Sequence, residues 1–389
     1  MADLRRLAVR ALRRMYRPSE RLFAFRLRRE AGRDVLEGVS PRYTAIVLIA
    51  LANESADDIR EILGRGSVGD VLNGLANLCT GTEDLGAVAL SLWAARAHGH
   101  SAVNRLLRRL REMRPDLASY PTVEVAWSLS ALTAPGCGWK RDGLALAIAE
   151  RLMRSFRPGV GLFPHWPADA QSARFRGHVA CFADWVYPLQ ALSFYHAVTG
   201  SQRADRIARA AAARMCGLQG HAGQWWWHYD LRVGRVLERY PVYAIHQDAM
   251  GPMALFDAAE CCGGDYAEAV TRSMDWLIDP PELPASLVDR EADVIWRKVA
   301  RREPHKLVRN LQAGLSLIHP LCRLPKVDVL FPPCAVDDET RPYHMGWLLY
   351  AWNPARIQRL WGERLDAGSG TTDARRPPAR LETVGPAVA

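Results

Sequence analysis

Side chains that could do chemistry gather in two stretches and at one outlying aspartate. In GHAGQWWWHYDLRVGRVLERYPVYAIHQDAM, residues 220–250, Trp225, Trp226 and Trp227 run into His228, Tyr229 and Asp230. Glu238, Tyr240, Tyr243, His246 and Asp248 follow in the same stretch. Asp248 precedes Pro252, and Asp184 precedes Pro188 at the same spacing. A proline is tolerated in the first turn of a helix, so both aspartates are expected at helix entrances. Two carboxylates at one rim can divide acid and base roles if their surroundings push their pKa values apart. The alternative use of such an aspartate is to cap the helix. His246 and Tyr243 stand beside Asp248 as further proton-moving candidates. The second stretch is VDDETRPYHMGW, residues 336–347. There Arg341 could grip a carboxylate through paired hydrogen bonds, Tyr343 could bind beside it, and His344 could move a proton. Consecutive residues of an extended loop point opposite ways, so one of Trp226 and Trp227 should face a cavity. An indole face suits a sugar ring, a cation or an isoprenoid chain. His228, Tyr229 and Glu238 would then add polar groups for substrate.

What must position these residues is helical. The apolar spacing follows the helical period nearly throughout, without sustained strand alternation. DWVYPLQALSFYHAVTGSQ, from Asp184, and DAMGPMALFDAAECCGGDY, from Asp248, repeat each other at an offset of 64 residues. Pro188 then matches Pro252, and Gly200 matches Gly264 in the position of a helix C-cap. Looser copies begin at Tyr43, Glu83, Val123 and Tyr343, and more polar partner helices alternate with them. GLFPHW at Gly161 parallels GQWWWH at Gly223. Repeated hairpins build either an open solenoid or a closed ring. The unequal loops and long spacing favour the ring. The expected fold is all-α, an α/α toroid of about six helical hairpins, with the N-terminal ends of the inner helices at one rim. Residues 1–35 read as a basic amphipathic segment, 36–365 as the toroid, and 366–389 as a disordered tail.

Charge is unevenly placed. Of a net +9, residues 1–30 hold ten arginines against Asp3, Glu20 and Glu30, or +7, leaving +2 for the rest. In MADLRRLAVRALRRMYR a leucine-alanine stripe is flanked by arginines, a pattern that can lie on an anionic membrane surface or pack on the domain. A nearly neutral body without a binding motif argues against nucleic acid. No apolar run reaches membrane-spanning length, no secretory signal is evident, and the eight cysteines form no C-x-x-C pair. The expected location is the cytoplasm, with access to the inner membrane face. GRGSVG at Gly64 follows a helical stretch instead of a strand, which removes the dinucleotide reading. No cofactor and no metal are expected, since no zinc-ligand spacing appears.

QGHAGQW, Gln219 to Trp225, resembles the QW motif of the terpenoid cyclase and protein prenyltransferase superfamily, whose members are α/α toroids. In that family the glutamine and tryptophan tie neighbouring helices together. The family's D-x-D-D and D-D-x-x-D signatures are missing, and Cys334, Asp337 and His344 do not follow its zinc-ligand order. ERYPVYAIHQDAMGPMALFDA is similar to the E-x-Y-P stretch of glucuronyl C5-epimerases and related glycan-acting toroids, through Glu238, Tyr240 and Pro241. These resemblances imply an enzyme that moves protons on a glycan or other acidic polyhydroxylated substrate, lipid-linked ones included. A terpenoid-type enzyme with an aromatic cavity and a non-catalytic binding scaffold are the alternatives.

Overall fold

The computed structural model describes residues 1–138, 142–170, 176–303 and 307–362. Six helices form the inner ring: α2 (Pro41–Leu51), α5 (Leu85–Ala97), α7 (Thr122–Thr133), α9 (Ala183–Thr199), α11 (Gly251–Cys262) and α15 (Pro342–Ala351). Each packs on the next in that order, and α15 packs back on α2, so the ring is closed. The outer layer contains α1 (Ala2–Met15), α3 (Ala56–Leu63), α4 (Val68–Leu78), α6 (Val103–Glu112), α8 (Gly143–Ser155), α10 (Gln202–Gly217) and α12 (Ala267–Ile278). The expected α/α toroid is the observed architecture.

The division into layers follows from the side chains. Inner helices touch neighbours on both sides and the outer layer behind, so they are apolar nearly all round. In α5 every residue from Leu85 to Ala95 is buried. Outer helices bury one stripe. In α1 that stripe is Leu4, Leu7, Ala8, Val9, Ala11, Leu12 and Met15, set against α15 and α3. Burying each leucine contributes about 1.5–3 kcal/mol. Arg5 binds Glu54, Arg6 binds Asp58 and Glu61, Arg10 binds Asp293, and Arg14 binds Asp34. The stripe that could have met a membrane is therefore occupied by the ring, and α1 belongs to the same compact unit, Met1–Asn353. None of the described helices is long and apolar enough to cross a membrane.

Two local expectations shift. Gly200 does cap α9 in the left-handed conformation, at φ 71°. In α11 the cap falls one residue earlier, on Gly263. Pro188 sits inside α9, which starts at Ala183, so only Asp184 occupies the first turn. Asp248 lies in a π-helical turn, His246–Met250, ahead of α11. Short strands, which the helical periodicity hid, staple the loops at the rim. Val179–Cys181 pairs with His228–Asp230, which pairs with Arg235–Glu238. Val242–Tyr243 pairs with Lys298–Ala300. Glu339–Thr340 pairs with Arg26–Glu30. Between α12 and α15 the chain also forms α13 (Leu307–Ile318) and the single turn α14 (Val327–Leu330). Residues Pro354–Ala389 form a second unit, of which a helical turn at Pro354–Ile357 and a π turn at Gln358–Gly362 are described. The expected tail, 366–389, lies outside the described residues.

Candidate functional site at the mouth of the ring

Two cavities meet at Trp227. One, of about 480 Å³, is walled by His165, Trp166, Arg176, Cys181, Asp184 and His228. The other, of about 290 Å³, is walled by Arg42, Trp127, Tyr187, Tyr243, His246, Arg297 and Tyr343. Both form because the loops before the inner helices converge, and the rim strands fix their register. The pairing of Cys181 with His228 sets the start of α9 against the tryptophan stretch.

Asp184 is fully buried. Its Oδ2 accepts the Cys181 backbone N–H at 2.8 Å, and its Oδ1 accepts His165 Nδ1–H at 2.9 Å. A carboxylate only accepts, so Nδ1 carries the ring proton and Nε2 is left for exchange. The hydrogen bond to Asp184 outweighs burial and raises the His165 pKa above its ordinary value. The His165 side chain remains 48% exposed, so the pair combines a sequestered acid with an accessible imidazole. Cys181 stands beside them. Burial first, then the Asp184 charge, pushes its thiol well up. Ligand atoms of His165, Cys181 and Asp184 lie within 4.8 Å of one another and could hold a soft divalent cation.

The cavity is cationic and aromatic. Arg176 and Arg309 have no carboxylate partner among the described residues, and Arg309 Nε is buried without an acceptor. Burial, then the charge of Arg309, lowers the Arg176 pKa. The Arg309 guanidinium sits 4.8 Å from the centre of the Trp227 ring, which also stacks on His228 at 4.2 Å and meets Tyr243 edge-on at 5.1 Å. Burial, followed by Arg176 and Arg309, pushes His228 down to about 3. Burial, followed by His344 and Arg297, does the same to His246, which packs on Phe182 and Tyr243. Both imidazoles are neutral at ordinary pH. Burial raises Tyr243 against the pull of Arg297 and Arg309, and raises Tyr343 as well.

The sequence candidates therefore divide. Asp184, Trp227, His228, Tyr243, His246 and Tyr343 line the mouth. Asp248 and His344 come together, at 2.7 and 2.9 Å from Nε2 to the two oxygens, but both are buried and neither lines the cavities. Because Asp248 sits in the π turn, its carboxylate is aimed sideways at α15, and the pair joins the last two inner helices. Arg341 is held by Glu339 and the Tyr43 hydroxyl and lies over Phe25, a ring-closing role. Glu238 is buried against Arg301 and the Tyr240 backbone, facing away from the mouth. Tyr229 is fully buried, its hydroxyl donating to Trp226 O. Trp226 packs on Tyr240 in a separate cleft. Of the pair Trp226 and Trp227, the second is thus the one at the mouth. Trp225 fills the wall, donating from Nε1 to Met215 O, while Gln219 donates to Gly223 O and Ala269 O. Those bonds tie α10 to α12.

Sequence reasoning missed His165, Arg176 and Arg309. For His165 a signal existed. The parallel of GLFPHW with GQWWWH puts His165 in the place of Trp227, and both side chains end at the same mouth. For the two arginines there was none, since an unpaired cation is recognised only once its surroundings are known.

No protein-family model matches this chain, and no curated protein matches it. Among solved structures, an unsaturated glucuronyl hydrolase specific for heparin superposes with a TM-score of 0.58 at 13% identity, covering 93% of this chain and 98% of that one. An unsaturated glucuronyl hydrolase from Streptococcus agalactiae gives 0.43 at 11% identity, covering 90% and 91%. A family 76 mannosidase from Bacteroides thetaiotaomicron gives 0.40 at 8% identity, covering 93% and 99%. At 13% identity the first likeness establishes the closed ring of helical hairpins and leaves the chemistry to be argued from the mouth itself.

Proposed function

We propose that the chain is an enzyme that moves a proton on an acidic glycan bound across the mouth, with His165 as the exchanging group. The observation that carries this reading is the Asp184–His165 pair on a cavity wall. Asp184 fixes the tautomer and favours the imidazolium, so Nε2 can give a proton and take one back afterwards. Arg176 and Arg309 supply an unneutralised anion site beside it, and Trp227 offers a ring face for a sugar's C–H surface. His246 and Tyr243 complete the far wall as neutral hydrogen-bonding groups. Asp248 and His344 act as a positioning pair that holds the π turn, and with it His246, against α15. The named substrates of the similarly folded hydrolase point in the same direction, toward uronate-bearing sugars.

The aromatic lining of the inner cavity would also suit a terpenoid reaction. The ion pairs of Arg42 with Asp84 and Glu124, and of Arg297 with Glu339, in the same wall oppose it, since a carbocation reaction calls for a dry, apolar cavity. A scaffold without chemistry gives no reason for an exposed imidazole locked to a buried carboxylate. The test is turnover of unsaturated glucuronyl disaccharides, followed by loss of their conjugated ultraviolet absorbance, beside a neutral mannobiose. Turnover restricted to the uronate sugar is expected, and His165→Gln should lower kcat by about 10²–10⁴. Undiminished turnover in that variant, or preference for the neutral sugar, would sink the proposal.

A further inference from the structure

α13 reaches the mouth through Arg309, which lies over Trp227, and the two faces of that helix differ. Its inward face buries Val308, Gln312, Ala313 and Ser316 and aims Arg309 at Trp227. Its outward stripe, Leu307, Leu311, Gly314 and Ile318, follows helical spacing of four, three and four residues. A β-carbon on Gly314 would meet none of the described residues within 4 Å, so the stripe is open at its middle. Ile318 is 82% exposed, and in α14 nearby Val329 and Leu330 are 78% and 69% exposed. Singly scattered apolar residues need no explanation, but a helical stripe with further exposed aliphatics on the next element does.

Cations surround this stripe. Arg302, Arg323 and Lys326 are exposed, as are Arg235 and Arg239 on the strand segment across the cleft. None of the five has a carboxylate partner among the described residues, whereas Arg5, Arg6, Arg10 and Arg14 of α1 each have one. Arg235, Arg239 and Arg323 rim a cleft of about 670 Å³ between the strand and α13–α14, and Arg323 is braced over it by Val236 O.

We infer that α13 and α14 dock the protein on an anionic lipid surface. The aliphatic side chains enter the boundary between headgroups and acyl chains, and the unpaired cations meet lipid phosphates. A second copy of the chain is a poor occupant, because a two-fold contact would set five unneutralised cations against their own kind. Nucleic acid is also a poor fit, because the exposed side chains are aliphatic and offer no stacking platform. The sequence places an arginine-flanked stripe in α1, but folding buries that stripe and leaves this one outside. Since Arg309 projects from the opposite face of α13 onto Trp227, docking brings that edge of the mouth toward the bilayer, where lipid-linked sugars are within reach.

Co-sedimentation of the full chain with vesicles tests this. Vesicles of phosphatidylcholine containing about a third phosphatidylglycerol should bind the protein, pure phosphatidylcholine should not, and added salt should weaken binding. Replacing Arg323→Gln and Lys326→Gln together should weaken it about 25-fold, at about five-fold per cation. The triple change Ile318→Ser, Val329→Ser and Leu330→Ser should abolish it, with near-ultraviolet circular dichroism confirming that the variant folds. Absence of binding to the anionic vesicles would overturn the inference, and so would binding unchanged in the triple variant. A concentration-dependent dimer lost in the triple variant, without vesicle binding, would assign the face to self-association instead. The outcome is independent of the sugar assay, so either reading can fail alone.

Discussion

Replacing His246 by glutamine should flatten the acid limb of the stability curve. The free imidazole titrates near pH 6.5, while in the fold burial and the charges of His344 and Arg297 push it down to about 3. Between those values the unfolded chain holds one proton more than the folded one. Each unit of falling pH therefore removes about 1.4 kcal/mol of stability through this residue. By pH 5 the accumulated loss is about 2 kcal/mol. His246→Gln cannot take up that proton, so its stability should fall less steeply by about 1.4 kcal/mol per unit below about pH 6.5. His228, also pushed down to about 3, should behave alike, and the double variant should remove both contributions. His165 acts with opposite sign. Its raised pKa contributes stability at pH values below its unfolded titration, lost as pH rises through the folded one. The assay is guanidinium unfolding followed by tryptophan fluorescence, from about pH 7.5 to about pH 5. Parallel curves for the wild type and His246→Gln would refute the reasoning, because they would mean that the folded imidazole protonates as easily as the free one.

Three further predictions concern the tryptophan loop. Trp225→Ala should cost about 3–5 kcal/mol, because the side chain is fully buried between α10 and the π turn. Trp227→Ala should instead weaken sugar binding in a titration calorimeter while changing the melting temperature less. Gly223→Ala should lower the melting temperature sharply, since Gly223 has φ +95° and a β-carbon there would sit 2.0 Å from Arg272 O. An unchanged melting curve would contradict the close approach of this loop to α12.

Much of the fold was legible because a ring of hairpins repeats itself along the chain. The match of Asp184 with Asp248 located two inner helices and their order. The same match misled about the site. It treats the two aspartates as equivalent, but Asp184 meets His165 at a cavity while Asp248, displaced into a π turn, meets His344 in the core. A single extra residue per turn rotates a side chain away from the mouth, and helical periodicity does not resolve it. Arg341 and Glu238 looked like groups for substrate because isolated charges in a loop carry no sign of their partners. Folding gave each an internal one.

The order of apolar and polar segments by itself determined a double layer of helices, since only a helix apolar all round can serve an inner layer, and the packing of α15 back on α2 decided that the layer closes. The same order also determined that the tryptophan stretch would stand at the rim, because that stretch precedes an inner helix. Only the tertiary structure decided which charges remain unpaired. Arg176 and Arg309 are far apart in the chain and become a site by meeting over Trp227 and His228. The apolar stripe of α1 became core because α15 returned to cover it, and the stripe of α13 stayed outside because none of the described residues covers it. Whether a side chain binds or packs depends on what long-range contacts bring against it, and local sequence does not contain that information.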